Sequence, residues 1–217
     1  EQRERRSYRS NKPGGNHCDG RFCASWPETR ESGFQITKDV MAHHGVTGIH
    51  LDAIRYIDTG ISLDWPCQCD ACKAKYVELL GKEIISAEDL TVPGMLDNFM
   101  EFRGQNIRSL VEKTRKLVRQ KGLVLSMAAR AAYFEAALVE GQDWVQWARE
   151  GLMEYICPMN YSTLREVHRN HLATQMALIK DSVPIYDGIG RLSSAGELTP
   201  AQMIQQAEDA VELDRKS

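Results

Sequence analysis

The sequence predicts an α/β fold built on parallel strands, and three observations carry that prediction. Short apolar runs alternate with amphipathic stretches of helical length, in the order helix, then strand–helix four times. The connections are long enough for right-handed crossovers. The run Val46–Asp52, entered through Gly48, closes on a carboxylate, which places an acidic group at the C-terminal mouth of a parallel sheet or barrel. A chain of 217 residues is enough for one sizeable core and one domain. A closed eight-stranded barrel needs about 250 residues. Four strands leave either a partial barrel or an open doubly wound sheet.

Residues 1–24 read as a polar loop, with turn chemistry at Asn11-Lys12-Pro13-Gly14-Gly15. Ser25 serves as the N-cap of the first helix, Pro27 fits its first turn and Glu28 completes a capping box. That helix runs to about His44, with Phe34, Val40 and Met41 among its buried positions. After the Asp52 strand, residues 57–92 form an insertion with a cysteine cluster and a short helix, Ala74–Leu80. A long helix over 94–120 follows from Leu96, Phe99, Met100, Ile107, Leu110, Val111, Leu117 and Val118 at three- and four-residue intervals, ended by Gly122. The strand Leu123–Ala128, a helix at 142–150 and the strand Met153–Pro158 come next. Thr163–Glu166 caps a helix ending near Asp181, Val183–Tyr186 is a short strand, and Thr199–Gln202 caps a last helix over 200–213. The domain reading is thus 1–24 as irregular start and 25–217 as the α/β domain. Trp144 and Trp147 are expected in the core, and Asp143 is expected to cap its helix.

A net charge of −3 gives no large positive field, so nucleic acid is not the expected partner. The basic start (Arg3, Arg5, Arg6, Arg9, Lys12) is diluted by Glu1 and Glu4. No apolar run approaches the roughly 20 residues that span a bilayer. No signal peptide is visible, but the polar opening without Met makes the chain look like a segment of something larger, so the compartment stays open.

Three of the six cysteines crowd into Cys67-Gln68-Cys69-Asp70-Ala71-Cys72. A Cys-x-x-Cys turn presents two thiolates to one metal, and Cys67 adds a third within reach. Tetrahedral zinc needs a fourth ligand, with Cys18, Cys23, His17 and Asp64 as candidates. A disulfide or free thiols are the alternatives, and any zinc here is structural, since hydrolytic zinc leans on His and carboxylates.

Gly48-Ile-His-Leu-Asp-Ala-Ile-Arg-Tyr56 resembles the fourth-strand signature of glycosyl hydrolase-like family 10, (β/α)8-barrel glycosidases similar in this segment to the α-amylase clan. Cys23-Ala-Ser-Trp-Pro-Glu-Thr-Arg30 resembles that family's entry into its third helix. Gly141–Trp147, Gly151–Tyr161 and Val183–Gly190 resemble later family segments in the expected order. The resemblance implies a TIM-type barrel, here incomplete, from strand four to helix seven. It implies a glycoside hydrolase with a carbohydrate substrate and Asp52 as nucleophile or charge stabiliser. His50 stands where the clan has Arg, and the expected strand-five Glu is absent from Ser126-Met127-Ala128-Ala129-Arg130. The cysteine run resembles one in family 42 β-galactosidases, where zinc braces a barrel loop.

Glycoside hydrolysis needs two carboxyl groups flanking the scissile bond. Glu135 and Asp187 are the candidates for the second. His50, Arg55, Tyr56, Asn160 and Tyr161 are the expected sugar-site residues. The bland alternatives are an Asp52 that caps a helix or pairs with Arg55, a core histidine at His50, and a turn Asn with a packed Tyr at 160–161. Two other functions fit the same residues: a non-catalytic carbohydrate-binding barrel, and a zinc-stabilised interaction module docking through its cysteine loop.

Overall fold

The computed structural model describes residues 9–11, 17–56, 67–84 and 87–214. They divide between two compact units, one within residues 1–46, 54–117 and 134–142, the other within residues 47–53, 118–133 and 143–217.

The first unit opens with an antiparallel pair, β1 (Arg9–Asn11) and β2 (His17–Phe22), where a loop was expected. Helix α1 spans Pro27–Met41 with Trp26 at its N-cap. Ser25 does not cap it: its hydroxyl bonds the Tyr56 hydroxyl at 2.7 Å and the Cys72 sulfur at 3.0 Å. Phe34 is buried as expected, but Val40 is 43% exposed because it falls off the stripe set by Phe34 and Thr37. Helix α2 starts earlier than expected, at Asp70, and runs to Leu80. Helix α3 spans Met95–Gln120, its residues up to 117 falling in this unit and 118 onward in the second; its Phe99, Phe102, Ile107, Val111 and Val118 are buried. Tyr76 of α2 packs on the rings of Phe99 (5.8 Å) and Phe102 (6.1 Å). Gly122, at φ +64°, ends α3 with the Leu123 amide donating to the Val118 carbonyl.

The second unit is built on β3 (Gly48–Leu51), β4 (Val124–Arg130) and β5 (Tyr155–Met159), parallel and adjacent in that order. Register pairs His50 with Ser126 and Ala129 with Pro158. Residues 125–129 of β4 are all buried, as befits a central parallel strand covered on both faces. The expected strand at Val183–Tyr186 is reduced to one parallel bridge, Ile185 to Ile156, with the Tyr186 amide on the Ile156 carbonyl at 2.9 Å. The parallel α/β architecture therefore stands, while among the described residues the sheet has three strands and is not closed.

Helix α4 (Trp144–Arg149) is capped by Asp143, which accepts from the Gln146 amide. Trp144 and Trp147 are buried. Helix α5 spans Arg165–Ile179, and Ser162, rather than Thr163, makes the side-chain bond at its start, to the Leu164 amide. A short hairpin, β6 (Leu192–Ser193) with β7 (Gly196–Glu197), leads to α6 (Pro200–Asp214). The capping box at α6 is formed: Thr199 accepts from the Gln202 amide, and the Gln202 side chain from the Thr199 amide.

Candidate functional site

In the second unit several candidate residues follow the C-terminal ends of the parallel strands. Asp52 follows β3 directly and is exposed. Its Oδ1 accepts from the Ala53 amide at 2.6 Å, and Ala53 sits at φ +53°, a left-handed conformation unusual for a residue with a side chain. Among the described residues Asp52 makes this bond, while Arg55 pairs with Glu140. His50 lies two residues earlier, exposed, with Nδ1 2.9 Å from the Ser126 hydroxyl on β4. That bond fixes the ring's rotation across the ladder.

Asn160 and Tyr161 follow β5. Tyr161 is 41% exposed, with Gly190 so close to its ring that a Cβ there would collide with it. Asn160 is wholly buried and reaches the second carboxylate candidate: its Nδ2 donates to Asp187 Oδ1 at 2.8 Å. The other Asp187 oxygen is 2.8 Å from His168 Nε2, on α5, and the His168 ring is fully buried. Asn160 is in turn clamped by a reciprocal amide pair with Gln175, at 2.9 and 2.7 Å. The Gln175 amide also donates to the Ala131 carbonyl, just beyond β4. Three polar side chains, Asn160, His168 and Gln175, thus support one carboxylate where apolar groups would pack at lower desolvation cost.

The sequence reading missed His168 and Gln175. Their signal was positional: His168, Leu172, Gln175 and Ile179 share the buried stripe of α5. Two polar residues on such a stripe must be satisfied from another element.

The remaining expected residues belong to the first unit. Arg55 pairs with Glu140, Nε to Oε2 at 3.2 Å, with both side chains largely buried. Tyr56, expected against a sugar, is 4% exposed; its hydroxyl is shared between Ser25 and Asn106, and burial followed by the nearby Cys23 and Cys72 pushes its ionisation up. Its place is thus a buried brace. Glu135 is exposed on a π-helical turn, Tyr133–Ala137.

The cysteine motif gains its fourth member in Cys23. The sulfurs of Cys23, Cys67, Cys69 and Cys72 all lie within 4.8 Å of one another, and all four residues are buried. Cys23 is 3.5 Å from Cys72 and 3.7 Å from Cys67. A disulfide needs about 2.05 Å, so these thiols are unbridged. Tetrahedral zinc with Zn–S bonds of about 2.3 Å sets its sulfurs about 3.8 Å apart, which the cluster matches. The Ser25 amide donates to Cys23 sulfur at 3.4 Å, the kind of outer bond that orients a metal thiolate. Crowding splits the thiols. Hydrogen bonds from Cys23, Cys67 and Cys72 pull Cys69 down, those with Cys23 and Cys69 push Cys67 up, and burial pushes Cys72 up. A bound cation removes that conflict by stabilising all the thiolates together. His17, Cys18 and Asp64, the other candidate ligands, lie outside the described side chains. The four-cysteine group is thus able to hold a metal ion.

Fold and site together define an α/β protein with carboxylates at parallel strand ends and a buried thiol centre. No family model matches the chain, and no curated protein matches it. Among solved structures it is similar to the PgaB (BpsB) glycoside hydrolase domain from Bordetella bronchiseptica. The TM-score is 0.66 at 13% identity, over 94% of this chain and 60% of that one. At that identity the likeness is one of fold, and the chain spans 60% of the length of its neighbour.

Proposed function

We propose that the protein is a glycoside hydrolase acting on an oligo- or polysaccharide, built as part of a (β/α)8 barrel of the glycosyl hydrolase-like family 10 kind. The observation that carries this reading is the placement of Asp52 and Asp187 at the C-terminal ends of parallel strand segments within one unit, on a fold resembling a glycoside hydrolase domain. Asp52 is the nucleophile or charge stabiliser. Asp187 is the second carboxylate, and Glu135 is its rival for the acid/base role. His50 and Tyr161 line the sugar site, the imidazole towards hydroxyls and the exposed ring against the sugar face. The four cysteines hold a structural zinc that braces residues 23 and 67–72.

The end of β4 favours a second reading. It runs Ala128-Ala129-Arg130, without a carboxylate where the family resemblance implies one. A barrel that binds sugars without cleaving them fits that substitution.

Released reducing ends, measured over a panel of α- and β-linked glycans, separate the readings. The full gene product is compared with Asp52→Asn, Asp187→Asn and Glu135→Gln. Hydrolysis predicts wild-type turnover that falls by about 10³-fold or more in Asp52→Asn with folding unchanged. Of the other two variants, the one that loses turnover marks the partner carboxyl. Glycan binding without turnover by any form establishes the non-catalytic barrel.

A further inference from the structure

We infer that His168 is a positioning residue for Asp187, and that with Asn160 it aims this carboxylate at the open strand ends as an acceptor on both oxygens. The inference rests on the glycosidase reading above and deepens it by giving its second carboxylate a defined support.

A carboxylate that merely ended a strand would be satisfied by backbone amides or water. Asp187 instead takes one side-chain donor on each oxygen, from different elements: Asn160 after β5 and His168 on α5. Both supports are themselves immobilised. The Asn160 amide is oriented by Gln175, which fixes its Nδ2 towards Asp187. His168 has no exposed surface, and its Nδ1 has no partner among the described residues. An imidazole bonded on one nitrogen only is held by that bond and by packing. The bare Nδ1 assigns the proton to Nε2, where it is donated to Asp187. The backbone agrees: the Gly188 amide donates to the Pro158 carbonyl at 3.0 Å, and any Cβ at Gly188 would collide with that oxygen. The chain beside Asp187 is pinned to β5 at a position only glycine fits. Side chain and main chain thus converge on one orientation for a carboxylate whose side chain keeps 9% of its surface exposed.

A structural imidazole and a positioning imidazole differ in what their loss does. Steady-state kinetics on the glycan that wild type cleaves best compare wild type, His168→Leu and His168→Gln, with histidine-labelled protein giving the tautomer by ¹⁵N NMR. The Gln amide reaches as far as Nε2 and restores a donor; Leu does not. Positioning predicts an Nε2–H tautomer, a kcat loss of about 100-fold in His168→Leu with KM nearly constant, and recovery of about tenfold or more in His168→Gln. An Nδ1–H tautomer overturns the proposal. So does a folded His168→Leu enzyme with wild-type kcat, or a folded His168→Gln no better than His168→Leu. If His168→Leu fails to fold, the tautomer and the kcat of His168→Gln decide alone. Wild-type inertness on the whole panel removes the glycosidase reading and this proposal with it. Loss of activity in Asp187→Asn but not in the His168 variants removes this proposal only.

Discussion

The exposed ring of Tyr161 lies where any side chain at residue 190 would reach it. A Cβ at Gly190 would lie 2.7 Å from Tyr161 Cδ1, inside van der Waals contact, so the ring must swing away. Since Tyr161 is at the surface, the swing disturbs the proposed sugar face more than the core. Gly190→Ala is therefore expected to raise KM for the cleaved glycan several-fold with little change in kcat or Tm, read from steady-state kinetics and a thermal melt. At Cys23 the proposed structural zinc sets the expected outcome. Cys23→Ser removes one thiolate of four, and zinc content measured by elemental analysis should fall well below one per chain. These residues mark how far the sequence could be read. The Cys67–Cys72 spacing pointed to a group able to hold a metal ion, because three thiols lie within six positions. The fourth came from a contact 49 residues away in sequence, and no local pattern chooses among four candidates. His168 was illegible for the same reason: its partner lies 19 residues on, beyond the end of its helix and a single parallel bridge.

Among the elements, those whose cues are local formed where expected. The period of α3, the Asp143 cap and the Thr199–Gln202 box were legible because each signal lies within one or two turns. Where tertiary contacts decide, the reading failed. Ser25 was drawn from its capping role to Tyr56 and Cys72, and the polar start of the chain paired as strands. The pairing of α5 with α6 is also tertiary. Asp209 of α6 is 1% exposed and takes bonds from Arg165 at 2.7 and 2.5 Å and from Arg169 at 2.9 Å. Those bonds, chiefly from Arg165, hold its carboxyl below the usual range near 3.8. A folded-state pKa below the unfolded one contributes stability above the unfolded value, and that stability is lost as pH falls through the folded one. Asp209→Asn should therefore lower Tm at pH 7 by roughly 5 °C, and the gap to wild type should close below about pH 4. Melts from pH 2.5 to 7 give the comparison; a gap independent of pH would assign the loss to packing.

Across the whole molecule the two candidate centres fall in different units, and this makes their roles separable. The thiol centre and its contacts with Ser25 and Tyr56 lie in the unit of residues 1–46, 54–117 and 134–142. Asp52, Asp187 and the ladder of β3, β4 and β5 lie in the other. Structural metal energy is folding energy, released where the ligands are brought together. On the proposed zinc reading, stripping the metal leaves four crowded thiols on the segments at residue 23 and residues 67–72. Hydrogen exchange followed by mass spectrometry, before and after treatment with a strong chelator under reducing conditions, should show amides at 23–41 and 67–80 losing protection. Those at 124–130 and 155–159 should keep theirs, because no ligand lies on these strands. Readdition of zinc should restore the first set. Equal loss across both sets would mean that the centre supports the whole chain, and no change in either would mean that the four thiols need no metal to hold their place.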